Sequence, residues 1–387
     1  MPSVALAVAV LGLWLYLMIG HGGFWLANQR DDFDGPVPPA AWPRIAVVIP
    51  ARNEAETVGA CIESLLRQEY PGECAIVLVD DESLDGTADI ARRTAERAGA
   101  AHRLTVVAGK PLPAGWTGKL WAVNQGVAQA LGGPDKPDYL LLTDADIAYG
   151  STALAPLVAR AEAGGYVLCS LMAKLRCESF AERSLVPAFI FFFQMLYPFA
   201  WVRRRDRATA AAAGGCMLVR PQALAAAGGI AAIRGALIDD CAMGRVLKAQ
   251  GPVWLGLTHY VRSIRPYPRV GDIRRMVARS AYAQLGYSPL LLLGTVLGMV
   301  LTYLVGPLLG LLGAGVTQLI GVLVWLMMAL SFQPILRLYR LSPLWGLALP
   351  AIALAYMAFT LDSAYQHGRG RGGLWKGRVQ AGAARQQ

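Results

Sequence analysis

Ala75-Ile-Val-Leu-Val79 runs into Asp80-Asp81, and Tyr139-Leu-Leu-Leu-Thr143 runs into Asp144-Ala145-Asp146. Runs this short, apolar and β-branched or Leu-rich read as buried parallel strands. In open α/β sheets, ligands bind just beyond the carboxyl ends of such strands. Two carboxylate pairs placed there repel each other unless something positive sits between them. A divalent metal carrying a diphosphate answers that need: Mg²⁺ and Mn²⁺ prefer hard oxygen ligands, and phosphates complete the shell.

Working outward, Arg44-Ile-Ala-Val-Val-Ile49 is a further strand, and Pro50-Ala-Arg-Asn-Glu54 is the turn that follows it. Helical spacing covers Glu56 to Gln68, through Val58, Cys61, Ile62, Leu65 and Leu66. A helix to about Arg97 follows the Asp80–Thr87 loop. Leu104-Thr-Val-Val107 is a third strand, Gly118 to Ala130 a helix, and Tyr166 to Met172 another strand. This βαβαβ alternation predicts a mostly parallel, Rossmann-like sheet with helices on both faces.

The chain has 387 residues, 55% of them hydrophobic and only 16% charged, so part of it is expected in lipid. No Asp, Glu, Lys or Arg precedes Arg30, none lies between Arg279 and Arg337, and none between Arg340 and Asp362. Each gap can span a bilayer, which takes about 20 helical residues. The Arg279–Arg337 gap has room for two helices, with a turn near Gly313-Ala-Gly315. The expected organisation is an uncleaved anchor over 1–29 and a Pro-rich linker over 30–43. A catalytic domain over 44–285 follows, then about three spanning helices over 286–364 and a basic flexible tail over 365–387. Within the domain, 184–202 is apolar and aromatic and ends in Arg203-Arg-Arg205, but Pro187 and Pro198 make a straight span awkward. It reads as an interfacial helix, with a buried core segment as the alternative. The formal net charge of +10 and the arginines at 203–207 and 262–279 fit a cytoplasmic face on anionic lipid. No nucleic-acid-binding motif is present. A multi-pass protein of the cell inner membrane, its catalytic domain cytoplasmic, is the expectation. Four spans would leave Arg369, Arg371, Lys376 and Arg378 outside, against the positive-inside tendency. The six cysteines show no CxxC spacing, which points to a reducing compartment without structural zinc.

Ile49-Pro-Ala-Arg-Asn-Glu54, Val79-Asp-Asp-Glu-Ser-Leu-Asp-Gly-Thr87 and Asp144-Ala-Asp146, taken together, resemble family 2 glycosyltransferases of the GT-A fold. Within that family the chain resembles hopene-associated membrane glycosyltransferases, related to ceramide glucosyltransferases, over roughly residues 40–290. The resemblance implies that Pro50, Ala51, Asn53 and Glu54 line the nucleotide site, although Asn53-Glu54 could equally cap the next helix. It implies that Asp81, with Asp80 beside it, accepts from a base N–H or ribose hydroxyl. Asp85-Gly86-Thr87 reads as a turn and helix cap. Asp144 and Asp146 form the DxD: Asp144 is placed on ribose and Asp146 on the metal. Gly118-Lys119-Leu-Trp-Ala122 resembles the Gly-Lys-x-x-Ala segment of the ceramide-type subgroup, with Lys119 offering charge to phosphate. Gly214-Gly-Cys-Met-Leu-Val-Arg220 matches the small-residue segment, or is a plain tight turn.

Asp239-Asp240 matches the motif whose second acid is the catalytic base, so Asp240 is assigned that role; Asp239 is assigned to the nucleotide-sugar site, with capping of the following helix as the alternative. One departure stands out. Where many members carry Gln-x-x-Arg-Trp, this chain has Met276-Val-Ala-Arg279-Ser280, which keeps only the arginine. That argues against a processive polysaccharide synthase and leaves Arg279 to clamp diphosphate. The implied activity is inverting transfer of a sugar from a nucleotide-diphosphate donor, with UDP expected, to a lipid acceptor, with a hopanoid following from the resemblance. Transfer to polyprenyl phosphate or another lipid, and a catalytically silent membrane scaffold, are the alternatives.

Overall fold

Side chains alternate along the strands and sort the sheet's two faces. In the computed structural model β1 is Ile45–Ala51 and β2 is Cys74–Asp80. Ile45, Val47, Ile49, Ile76 and Leu78 join one buried cluster with Val58, Cys61, Ile62 and Leu65 of the helix Val58–Leu66 and Ala91 and Ala95 of the helix Thr87–Arg97. Val77 and Val79 face the other way, onto Ala122 of the helix Gly118–Leu131. The structure describes residues 2–370, 374–375 and 378–379; the expected basic tail falls largely outside these, and Arg371 and Lys376 lie wholly outside them.

The remaining strands are β3 (Leu104–Ala108), β4 (Tyr139–Leu142), β5 (Ile147–Tyr149), β6 (Leu168–Lys174), β7 (Met217–Val219) and β8 (Val253–Ser263). They form one sheet in the order β3-β2-β1-β4-β7-β6-β8-β5. The pairings among β1–β4 are parallel. β7 then runs antiparallel to both β4 and β6, and β5 antiparallel to β8, so the sheet is mixed. Three elements were not legible as strands. β5 and β7 have three residues each, too few to show a period, and β8 is interrupted by Gly256 and polar positions.

These elements belong to a unit comprising Gln29–Arg176 and Trp201–Arg265. A second unit draws on the described parts of 1–28, 177–200 and 266–373. It contains four helices long and apolar enough to cross a membrane: Ser3–Gly20, Pro289–Leu312, Val316–Leu338 and Pro343–Gly368. The break between the second and third falls at Gly313–Gly315. The last continues to Gly368, a few residues into the stretch read as tail. Gly321 allows the middle pair to close: a Cβ there would meet the Gly310 backbone nitrogen at 2.3 Å. The 184–202 segment is two helices, Phe180–Leu196 and Phe199–Arg203. The first opens on a capping box of Ser179 and Glu182. Its aromatic face is buried inside the unit, with Phe191 against Phe24 and Phe332, and Phe192 against Tyr303 and Tyr356.

Gly126 sets how closely the helix Gly118–Leu131 approaches the sheet. A Cβ at this position would come within 2.4 Å of Val48 Cγ1 and 3.1 Å of Val79 Cγ2. Gly126→Ala should therefore destabilise the protein by about 1–3 kcal/mol, as overpacking does. Urea unfolding of the full-length protein in detergent checks this; an unchanged midpoint would mean that the helix retreats without cost.

Candidate active site

Strand register brings the motifs to one edge. Ala51 lies beside Asp80 at the ends of β1 and β2, and the Asp81 N–H donates to the Ala51 carbonyl at 2.8 Å. Thr143, just past β4, donates its backbone N–H to Val48 and its Oγ1–H to the Gly215 carbonyl at 2.7 Å. That second bond follows from β7 lying antiparallel to β4, which returns Gly214-Gly215 to the DxD end of the sheet.

The turn after β1 is stitched to the loop after β2. The Asn53 N–H donates to Ser83 Oγ, and the Leu84 N–H to Asn53 Oδ1. The Glu54 N–H donates to Thr87 Oγ1 at 2.8 Å. Asp80 Oδ1 accepts from the Ser83 N–H at 3.2 Å. Asp81 is only 1% exposed, and the Arg52 guanidinium, which also reaches the Asp81 carbonyl, stands 3.6 Å from its Oδ2. Asn53, at φ 51°, does not cap the next helix; Thr57 holds the N-cap position there. Asp85 makes the expected turn, its Oδ1 accepting from both the N–H and the hydroxyl of Thr87.

Lys119 lies in the first turn of its helix, and its Nζ is 2.7 Å from Asp144 Oδ1 and 3.0 Å from Asp239 Oδ2. Pro50, Lys119, Thr143, Asp144, Gly214 and Asp239 line one small cavity. Burial would depress the Lys119 ammonium, but Asp144 and Asp239 together lift it above its ordinary range. Asp144 is raised, by burial first and then by Asp146 and Asp239, against the pull of Lys119. Asp240 Oδ2 accepts from the Gly214 N–H at 3.1 Å, and Oδ1 from the Cys241 N–H at 2.7 Å. Burial, and then the charge of Asp239, push its carboxyl up to about 6. The helix there is Asp239–Lys248 with Ile238 at the N-cap, so Asp239 is not the cap. Both acids instead sit in the first turn, where the helix N-terminus favours negative charge.

The residue that sequence reading missed is Arg265. Its Nε donates to Asp146 Oδ2 at 2.7 Å, and its Nη2 to Glu54 Oε1 at 2.7 Å and Oε2 at 2.8 Å. It arrives because β8 pairs with β5, immediately after the DxD, and the Ile264 N–H continues the ladder to the Asp146 carbonyl. No local motif marks it; only the antiparallel pairing does. Arg279, assigned to the diphosphate from the sequence, is exposed just past the helix Val270–Ala278 in the other unit.

The donor set around Asp146 is carboxylate oxygen throughout, which fits Mg²⁺ or Mn²⁺. Among the described residues no three His, Cys, Asp or Glu side chains converge as a complete cation site.

A mixed sheet with parallel strands ending in paired carboxylates, followed by an acid at a helix start, defines a Rossmann-like GT-A core. Residues 46–227 match the family described as Glycosyl transferase family 2. Over 145 residues it is 32% identical to the probable glycosyltransferase YdaM of Bacillus subtilis (strain 168), covering 37% of this chain and 32% of that protein. Over 52 residues it is 40% identical to the glycosyltransferase AglE of Haloferax volcanii, covering 13% of this chain and 17% of that protein. The matched stretches thus span less than a third of either relative's length. The mannosyltransferase PcManGT from Pyrobaculum calidifontis, solved with GDP-Man and Mn²⁺, shares the fold. The TM-score is 0.55 at 18% identity, over 97% of this chain and 99% of that one.

Lys119→Met removes the cation between Asp144 and Asp239. Loss of about 2 kcal/mol is expected near pH 8, the figure for a buried pair discounted for partial exposure. The variant should regain stability as pH falls, because Asp144, whose folded-state pKa is raised, binds its proton more readily folded than unfolded. Thermal unfolding across pH measures this; a pH-independent deficit would refute it.

Proposed function

We propose that this protein is a membrane-bound, inverting glycosyltransferase that moves a sugar from a nucleotide-diphosphate donor to a lipid acceptor. The observation that carries the reading is the convergence of Asp144, Lys119, Asp239 and Asp240 beside the Gly214 backbone at the carboxyl edge of the sheet. Asp80, Asp81, Asn53 and the Pro50-Ala51 turn take the nucleotide, and UDP is the expected one. The family 2 domain supports a nucleotide-sugar donor, and the four apolar helices support an acceptor drawn from a bilayer.

Asp240 is the base. Two backbone N–H groups hold its carboxylate, and its raised pKa of about 6 suits proton abstraction near neutrality. The acceptor hydroxyl loses its proton to Asp240 as its oxygen attacks the anomeric carbon and the nucleotide diphosphate leaves from the opposite face. One displacement inverts the centre. Lys119, shared between Asp144 and Asp239, is placed to meet phosphate charge. Asp146 would hold a divalent cation together with diphosphate oxygens; when bound, such an ion neutralises charge on the leaving group. The acceptor enters where the 184–202 segment and the C-terminal helices meet the bilayer, with the domain on the cytoplasmic side of the inner membrane. A hopanoid acceptor rests on the sequence resemblance alone, and polyprenyl phosphate is the rival.

Full-length protein in lipid, offered UDP- and GDP-sugars with Mg²⁺ or Mn²⁺, should turn over one donor in a metal-dependent way. Asp146→Ala and Asp240→Asn should each lower the rate by at least about a hundredfold, the usual scale for losing acid–base catalysis. The wild-type kcat/KM profile should rise through an acid limb near pH 6 as Asp240 ionises, and Asp240→Asn should abolish that limb. Absence of both nucleotide binding and turnover would favour the silent scaffold.

A further inference from the structure

Five acidic side chains, Glu54, Asp144, Asp146, Asp239 and Asp240, gather around the sheet edge, and two cations meet four of them. Lys119 bridges Asp144 and Asp239, while Arg265 bridges Asp146 and Glu54. The two cations differ in kind. Lys119 stands on a helix packed against the sheet. Arg265 is two residues past the end of β8, outside any helix or strand. Its guanidinium spends one N–H on Asp146 and holds Glu54 through Nη2, so the carboxylate assigned to metal is engaged by a resident side chain. Glu54 is only 8% exposed and takes a second bond from the Thr57 hydroxyl, at 3.0 Å, which anchors the far end of the bridge.

We infer that Arg265 is a built-in counter-ion that competes with the divalent cation for Asp146 and couples cation binding to donor binding. The inference rests on the assignment of Asp146 above. A divalent ion on Asp146 would stand a few ångströms from the guanidinium that already holds Oδ2, and repulsion between the two positive groups weakens the ion's hold on that carboxylate. Vacating Asp146 without another anion to meet would leave the guanidinium short of a charge-assisted bond. A nucleotide diphosphate supplies that anion, and guanidinium matches phosphate oxygens as well as it matches carboxylate. The bare ion therefore binds weakly, nucleotide strengthens it, and in the empty site Asp146 and Glu54 each keep a cationic partner.

Mn²⁺ binding to the full-length protein in detergent, followed by loss of the free-ion paramagnetic resonance signal, tests this without turnover. In the wild type, UDP or GDP should tighten Mn²⁺ by about tenfold, within the usual range for coupled sites. Arg265→Gln should bind bare Mn²⁺ about tenfold more tightly than wild type, with little further gain from nucleotide. Arg265→Lys, which keeps the charge, should retain the coupling, and thermal unfolding shows that each variant is folded. Unchanged or weaker binding of bare Mn²⁺ by Arg265→Gln overturns the inference, as does a lysine variant that behaves like glutamine. Asp146→Asn separates the two claims. If it binds Mn²⁺ like wild type, the metal assignment itself falls; if it loses Mn²⁺ while Arg265→Gln changes nothing, only the counter-ion role falls.

Discussion

Charge compensation among carboxylates drawn partly out of water is the constraint on which this sheet edge depends. Glu54, Asp144, Asp146 and Asp239 come from three separate parts of the chain and meet at one sheet edge. An uncompensated carboxylate removed from water costs several kcal/mol. Lys119 and Arg265 each answer two of them at 2.7–3.0 Å. Each carboxylate released by a lysine or arginine here needs a positive partner in exchange.

The mixed character of the sheet follows from the same need. Four parallel strands suffice to place Asp80, Asp81, Asp144 and Asp146 at one edge. They do not bring in Gly214 beside Asp240, or Arg265. β7, antiparallel to β4, returns Gly214 and its N–H to Asp240, and the β5–β8 pairing delivers Arg265 to Asp146. The parallel half places Asp80, Asp81, Asp144 and Asp146, and the antiparallel half adds Gly214 and Arg265.

The helical unit solves a different problem with different material. Its outward faces are leucine and valine, including Leu290, Leu308, Leu312 and Leu319, which suit lipid. Its interior is held by aromatic pairs around Phe191 and Phe192 and by close glycine contacts at Gly310 and Gly321. Small residues that let backbones approach are the usual adhesive where lipid removes the hydrophobic drive between helices.

Much of this was legible from residue order alone. Short apolar runs ending in acid defined β2 and β4, and a third apolar run running into a turn defined β1, because a buried parallel strand has a one-dimensional signature. The uncharged gaps before Arg30 and after Arg279 likewise defined the apolar helices, because a bilayer demands length and little else. What the tertiary structure decided was pairing. Asp239 became a partner of Lys119, Glu54 an anchor for Arg265, and Arg265 an arginine at the DxD. Three-residue strands carry no period to read, and ion pairs more than a hundred residues apart in sequence leave no local trace. Their partners are chosen by strand register, which exists only once the sheet has formed.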